Sequence, residues 1–383
     1  MIKLKKLLQP YFLVYFLFFF INGALESFYP MYLEKLKFTG KEIGFAFTVI
    51  YFSQIFLPTL TSTLTNKFKA KKVVTTGLLI ILTFSLIIYN QKYLLGVVVL
   101  GIIIHMARPI FNFSLGNDIL VSVDSEERGK YLSIRDLFLF GGMSIGIFAF
   151  SILVKNNGLR FSFNIWNLLY IVLIIYIVKH FQQNKHNEEI EEDSGKLKSV
   201  IKEKNLLVVI VINVLLTFSY ACTKFVPILA MNIGFKIDEF MKYQSLFIII
   251  NALMAYKLAD HFAKKNKRKV YLTDIAVDVL PFTLLALNLS KVGFIIAFLI
   301  LQLKDIFSPV SFSYVMDLFE EKNITTVLGL LESINNCVGL IAPLFIGFLW
   351  DIIGIKIFYF ATAITILTAV VAFIRLPIEE KNL

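Results

Sequence analysis

Apolar runs of about 20 residues recur along the whole chain of 383 residues, and they constrain its fold more than any other feature. An α-helix needs about 20 such residues to cross the hydrocarbon core of a bilayer. Strands of a membrane barrel would instead alternate polar and apolar residues. The runs therefore predict an all-α integral membrane protein. We place twelve spans at 11–32, 43–64, 72–89, 93–116, 134–154, 162–180, 205–230, 240–258, 270–289, 292–316, 327–349 and 354–376.

The composition also indicates that lipid is the solvent for much of the chain. Hydrophobic residues make up 57% of it and charged residues only 17%, whereas soluble domains have about 45–50% and about 25%. The first run follows a basic start, as in a signal peptide, but no small-residue cleavage site comes after it. We therefore predict that this run is retained as span 1.

The basic residues predict the orientation of the spans. Most loop Lys and Arg residues fall in segments that are cytoplasmic if both termini are cytoplasmic, which is the arrangement the positive-inside rule favours. Because the net charge of +11 is spread over these loops, nucleic-acid binding is not predicted. Frequent Ile, Lys, Asn and Phe are typical of an AT-rich bacterial genome, so we predict a multi-pass protein of the plasma membrane, the bacterial inner membrane.

A polar segment divides the spans into two groups of six. Residues 181–204 carry charges of both signs and predict a cytoplasmic linker. We therefore predict an N-terminal six-helix bundle at 1–180 and a C-terminal six-helix bundle at 205–383. The two halves are related in sequence, since Gly142 in span 5 corresponds to Gly339 in span 11. Internal repeats of this kind build many transporter folds.

The loops after spans 2 and 8 carry the most specific similarity. Residues 258–265, LADHFAKK, resemble the G-x-L-A-D-R-F-G-R-R loop signature of the major facilitator superfamily, and residues 62–72 resemble its first-half copy. Asn66 replaces the acidic residue of that copy, and most glycines of the signature are missing. The resemblance implies two pseudo-symmetric six-helix bundles that rock around a cavity lined by spans 1, 4, 7 and 10, in a transporter rather than an enzyme.

The same resemblance implies that the loop signatures close the cytoplasmic side. Asp260 is expected to face the N-terminus of span 5, where the helix dipole favours an anion. Arg135 and Glu332 occupy equivalent positions in spans 5 and 11. We therefore predict an inner-gate latch that consists of Asn66, Lys67, Arg135, Asp260 and Glu332.

Ionisable residues inside the spans predict a surface that binds substrate and protons. Such a residue at mid-bilayer costs about 2.5–3.5 kcal/mol on insertion scales and marks a functional site by default. Side chains three or four positions apart share one face of a helix, as do Asn22 and Glu26. An alternative interpretation is a structural ion pair, for example between Arg108 and Asp305. The predicted surface comprises Asn22, Glu26, His105, Arg108, Asn112, Tyr220, Lys224, Lys304 and Asp305.

These features predict a secondary active transporter that works by alternating access, with Glu26 or Asp305 as the proton carrier. The 39 Phe and 16 Tyr residues favour proton-coupled efflux of small amphipathic compounds. The polar residues of spans 4 and 10 favour the alternative, a proton-coupled symporter that imports a sugar, a nucleoside or another polar solute. A non-transporting membrane receptor is a third and weaker alternative, since no large soluble domain is visible.

The expected partners follow from this function. They are a small-molecule substrate, protons and the lipid bilayer, with the protein acting as a monomer. No P-loop of the type G-x-x-x-x-G-K-[ST] occurs, so the energy has to come from an ion gradient or from exchange. Cys222 and Cys337 lack metal-ligand spacing, and neither a cofactor nor a metal is predicted.

Overall fold

The protein is described by a computed structural model that covers residues 2–88, 93–112, 128–181, 203–263, 265–287, 290–303, 306–319 and 324–377. In these ranges every regular element is helical. The α-helices are α1 Ile2–Lys35, α2 Gly40–Phe68, α3 Ala70–Ile88, α4 Leu94–Phe111, α5 Arg128–Asn157, α6 Leu159–His180, α7 Leu206–Ala221, α8 Val226–Asn232, α9 Ile237–Ala263, α10 Lys267–Val277, α11 Val279–Ala286, α12 Lys291–Leu303, α13 Ser308–Asp317, α14 Ile324–Ile353 and α15 Ile357–Arg375.

Seven stretches of the described helices are long and apolar enough to cross a membrane. They confirm an all-helical protein with several spans, whereas the count of twelve and the orientation of the termini stay predictions. The stretches are Tyr11–Lys35, Ala70–Ile87, Leu94–Phe111, Arg135–Asn157, Leu159–His180, Leu206–Asn232 and Leu330–Arg375, the last of which contains both α14 and α15.

Three predicted spans are interrupted in the described part of the chain, one of them being 292–316, in which α12 ends at Leu303 and α13 begins at Ser308. In the span 205–230, a 3₁₀ turn at Cys222–Phe225 separates α7 from α8. Pro227 follows in the first turn of α8, where its missing N–H group is tolerated. In the span 270–289, α10 ends and α11 begins on either side of Asp278.

The starts of α2 and α9 carry local polar caps. The backbone N–H of Thr39 donates to Oε2 of Glu42 at 2.8 Å, and the N–H of Glu42 donates to Oγ1 of Thr39 at 3.3 Å. This reciprocal pair is a capping box, and it explains why α2 begins at Gly40. The α9 start has a related bond from the N–H of Lys236 to Oε2 of Glu239 at 3.0 Å.

The chain folds into two compact units. Unit 1 comprises residues 1–38, 49–188 and 234–252, and unit 2 comprises residues 39–48, 189–233 and 253–383. The first part of α2 thus belongs to unit 2, and the first part of α9 belongs to unit 1. Most of the predicted linker lies outside the described residues, so the two sequence-defined bundles stay a prediction.

Helix α1 packs more extensively against α5 than against any other helix of unit 1. Two glycines of α5 make the close approach possible, because a Cβ on Gly142 would collide with the carbonyl of Phe16 and one on Gly146 with the carbonyl of Phe20. Small residues four positions apart are a common device for bringing membrane helices together, since lipid provides no hydrophobic force between them.

Basic residues at the starts of two equivalent helices stabilise the ends of two others. In unit 1, Nζ of Lys71 donates to the carbonyls of Val178 and Phe181 at 2.6 and 3.3 Å, at the end of α6. In unit 2, the guanidinium of Arg268 donates to the carbonyl of Phe373 at 2.7 Å, near the end of α15. A cation at a helix C-terminus offsets the helix dipole. Lys71 and Arg268 are related by the offset that relates Gly142 to Gly339, which supports the internal repeat.

We predict that Gly146→Ala destabilises the protein, because the added methyl group has to push α1 away from α5. Overpacking of this kind costs about 1–3 kcal/mol. The melting temperature of the purified protein in detergent is expected to fall. Gly141→Ala is the matched control, since a Cβ at Gly141 meets nothing within 4 Å. Equal melting temperatures for the two variants would contradict this account of the α1–α5 contact.

Candidate functional site

A chain of buried polar contacts crosses unit 1 at the middle of α1. Asn22 is fully buried, and its Nδ2 donates to Oε1 of Glu26, one turn further along the helix, at 2.6 Å. The hydroxyl of Tyr170 on α6 donates to Oδ1 of Asn22 at 3.0 Å. Because an amide oxygen accepts and an amide nitrogen donates, the two contacts fix the orientation of the Asn22 amide.

Glu26 also forms an ion pair with Arg108 of α4. One terminal guanidinium nitrogen lies 2.5 Å from Oε2 of Glu26, while Asn22 occupies the other carboxylate oxygen. The Glu26 side chain is 14% exposed and that of Arg108 is 42% exposed. The carboxylate is therefore enclosed, whereas part of the guanidinium remains open to its surroundings.

The guanidinium of Arg108 has further capacity to bind a ligand. It lies over the ring of Phe19, 5.4 Å from the ring centroid, in a cation–π contact. Its Nε is buried and has no hydrogen-bond partner in the described part of the chain. A guanidinium has five N–H donors, and leaving a buried donor unpaired is costly. An oxygen acceptor on a bound solute could pair with the unused N–H donors of Arg108.

The other two predicted residues of this part of the chain are His105, in α4, and Asn112, at the end of α4. Nδ1 of His105 lies 2.9 Å from the carbonyl of Gly101, and because a carbonyl can only accept, Nδ1 carries a proton in this contact. The ring of Tyr29 meets His105 edge-on at 5.5 Å, and the Tyr29 hydroxyl donates to the carbonyl of Val97 at 3.0 Å. Half-buried Asn112 ends α4.

The predicted residues of unit 2 form contacts of their own. The Tyr220 hydroxyl donates to the carboxylate of Asp278, which is fully buried at the break between α10 and α11. Lys224 lies in the 3₁₀ turn after α7, with its ammonium 5.5 Å from the ring centroid of Phe47. The remaining predicted residues, Lys304 and Asp305, lie outside the described residues.

The predicted inner-gate residues occupy helices, and their role stays a prediction. Arg135 pairs with its neighbour Asp136, with N–O distances of 2.9 and 2.7 Å. Lys67 is exposed and lies over Phe68, while Glu332 is exposed on α14. Asn66 and Asp260 lie in α2 and α9, and their side chains are outside the described part.

Two residues of these contacts were absent from the predicted surface. Tyr170 follows Asn167 by three positions on one face of α6, but its partner Asn22 belongs to another helix and is visible only in the folded protein. Asp278 did carry a signal, an acidic residue in an apolar run, but its partner on α7 is visible only in the folded protein. Among the described residues, no group of three or more His, Cys, Asp and Glu side chains could hold a metal ion.

Comparison with known proteins identifies the family of this chain. The sequence model of the Major Facilitator Superfamily matches residues 11–305. The uncharacterised MFS-type transporter YxaM of Bacillus subtilis (strain 168) is 23% identical over 280 residues, which cover 68% of each chain.

Solved structures show the same fold. The crystal structure of the nucleoside transporter NupG matches with a TM-score of 0.75 at 16% identity, covering 96% of this chain and 97% of that one. A bacterial homologue of the human lysosomal transporter Spinster, in an inward-facing and unoccupied conformation, matches with a TM-score of 0.73 at 10% identity, covering 97% and 96%. Because the family match spans well over half of its length, the chain belongs to the Major Facilitator Superfamily and is a multi-pass membrane transporter of small molecules, not an enzyme.

Proposed function

We propose that the protein is a proton-coupled secondary transporter of a small polar solute, working by alternating access with the Glu26–Arg108 pair as its binding centre. The observation that carries this proposal is the enclosed carboxylate of Glu26, whose two oxygens accept from Asn22 and Arg108. The open part of the Arg108 guanidinium provides the donors for a solute.

Competition for the Glu26 carboxylate couples the binding of a proton to the binding of the solute. A proton on Glu26 removes the negative charge that pairs with Arg108, and an unpaired charge in a low-dielectric interior is strongly unfavourable. Binding of an oxygen acceptor on the solute then compensates Arg108. The site therefore favours either the ion pair alone or the proton together with the solute. A proton that crosses 100 mV gains about 2.3 kcal/mol, which exceeds the roughly 1.4 kcal/mol of a tenfold solute gradient.

The polar surroundings favour a polar solute over an amphipathic one. His105 and Arg108 carry hydrogen-bonding groups three positions apart on α4, and the buried Asn22 holds the Glu26 carboxylate against Arg108. Sugars and nucleosides present the hydroxyl and carbonyl oxygens that such groups bind. Since NupG, which has the same fold, is a nucleoside transporter, nucleosides and sugars form the first panel of solutes to test. We place the protein in a bacterial plasma membrane as a monomer.

Efflux of amphipathic compounds is the second candidate, and one observation favours it. Phe19 beneath Arg108 belongs to an aromatic group in which Phe18 and Phe111 stack at 4.1 Å. An apolar wall beside a charge suits an amphipathic solute. The two candidates differ in the sign of the response to a proton gradient, because a symporter accumulates the solute on the alkaline side of the membrane and an antiporter accumulates it on the acidic side.

We predict that Glu26→Gln abolishes the response of transport to an imposed pH gradient. Gln cannot take up a proton, but it retains an oxygen that accepts from Asn22. The measurement is solute uptake into proteoliposomes with and without the gradient, and solute exchange without a gradient is expected to persist. Asp317→Asn is the control, since this carboxylate forms a surface pair with Lys267. Asp305→Asn tests the other predicted carrier in parallel. A full gradient response of Glu26→Gln would refute the assignment of Glu26.

We predict that Tyr170→Phe weakens solute binding without removing the gradient response. Without the hydroxyl, Oδ1 of Asn22 loses a buried partner, at a cost of about 1–3 kcal/mol, and the Asn22 amide is free to turn away from Glu26. The expected result is a KM raised about tenfold, with a smaller change in the maximal rate. Tyr176→Phe on the same helix is the matched control, because Tyr176 lies beside His180 near the helix end. Equal KM values for the two variants would show that Tyr170 does not position the site.

A further inference from the structure

The first part of α2 lies directly against the second half of α14, within unit 2. A Cβ on Gly44 would collide with the carbonyl of Pro343, and a Cβ on Gly347 would collide with the carbonyl of Gly40. A Cβ on Gly44 would also lie 3.1 Å from Cα of Gly347. The two backbones therefore touch at this crossing point, and the side chain of Trp350 packs beside Gly40.

A carboxylate from α14 joins the two helices at the start of α2. Oδ1 of Asp351 accepts from the backbone N–H of Gly40 at 2.6 Å, and Oδ2 accepts from that of Lys41 at 2.8 Å. The first N–H groups of a helix have no partner within the helix, and the helix dipole favours an anion beside them. Glu42 caps the same helix from within α2, so Asp351 is the cap that links α2 to another helix.

The contact continues along α2 for about two further turns. Oγ1 of Thr48 donates to the carbonyl of Leu340 at 2.9 Å. On the same segment, Phe47 is nearly fully buried and lies beneath the ammonium of Lys224. The residues that face α14 and the turn after α7 are thus Gly40, Gly44, Phe47 and Thr48, at the spacing of one helix face.

The corresponding segment of the other half packs without such a cap. In unit 1, Oγ of Ser144 on α5 donates to the carbonyl of Ser245 on α9 at 2.8 Å, and Oγ of Ser245 donates back to the carbonyl of Ser144 at 2.8 Å. Ser245 is the counterpart of Thr48 under the offset that relates Gly142 to Gly339. The counterpart of Asp351 is Val154, which has no acceptor in its side chain. The carboxylate cap is therefore a feature of the α2–α14 contact in particular.

We propose that Asp351 is a releasable tether, which holds the first part of α2 on α14 in one state of the transporter and lets it separate in another. Asp351 is exposed, so water can replace it at the α2 N-terminus when the helices part. If the termini are cytoplasmic, as the loop charges predict, the tether lies on the extracellular side. The proposal rests on the proposed function only in assigning this motion to a transport cycle.

The test measures the exposure of a cysteine at position 48, about two turns along α2 from the Asp351 contact. Thr48→Cys is introduced into a background in which Cys222 and Cys337 are replaced by serine, and the purified protein in lipid nanodiscs reacts with a bulky hydrophilic maleimide. We expect Asp351→Ala to raise the labelling rate about fivefold, the factor by which loss of a helix cap shifts an equilibrium. Asp351→Asn is the matched variant, because asparagine caps a helix nearly as well as aspartate, and it is expected to stay within about twofold of the parent.

Two further variants make the test independent of Asp351. Gly347→Ala is expected to raise labelling at least as much as Asp351→Ala, because its Cβ forces the Gly40 backbone away. Gly141→Ala, on α5, is expected to leave labelling unchanged. Asp351→Ala labelling at the parent rate, with an unchanged melting temperature, would overturn the tether. Because labelling requires neither solute nor pH gradient, this outcome does not depend on whether Glu26 couples protons.

Discussion

The ion pair between Glu26 and Arg108 is the interaction on which the candidate site depends. Two charges inside a membrane protein are stable only when they are close together and their remaining hydrogen-bonding groups are satisfied. The buried neighbours meet this requirement: Asn22 donates to the free oxygen of Glu26, and Tyr170 fixes the amide of Asn22. In the part of the chain that the structure describes, Arg108 keeps an unused donor and partial exposure, whereas both carboxylate oxygens of Glu26 are occupied. This difference between the two partners is the reason why we propose the pair as a binding centre as well as a structural link.

Backbone contact through glycine recurs at two helix crossings with different consequences. Between α1 and α5, Gly142 and Gly146 lie against carbonyls of α1, and the buried aromatic side chains of Phe28 and Phe150 meet between the same two helices. Between α2 and α14, the glycine contact ends at an exposed carboxylate that caps a helix. Dense burial favours a permanent contact, whereas a hydrogen bond that water can replace favours a reversible one. We therefore assign a structural role to the first crossing and a gating role to the second.

The sequence predicts the features that lipid imposes. Span lengths follow from bilayer thickness, and the grouping of Asn22 and Glu26 follows from helix periodicity. Pairing between helices is less predictable, because periodicity relates only residues of one helix. The sequence offered Asp305, which lies outside the described residues, as a partner of Arg108, and it did not point to Glu26, with which Arg108 pairs in the described part of the chain. For the same reason Tyr170 and the Tyr220–Asp278 contact emerge only from the fold. The 3₁₀ turn at Cys222–Phe225 interrupts an apolar run that reads as one continuous helix.

A double-mutant cycle at Glu26 and Arg108 tests the central claim most directly. Glu26→Gln and Arg108→Gln are compared with the double variant for melting temperature and for gradient-driven uptake. If the pair is a binding centre, the double variant recovers melting temperature relative to Arg108→Gln, because no unpaired charge remains, but it does not recover uptake. If the pair only holds α1 and α4 together, both quantities recover. Restored gradient-driven uptake in the double variant would contradict the account.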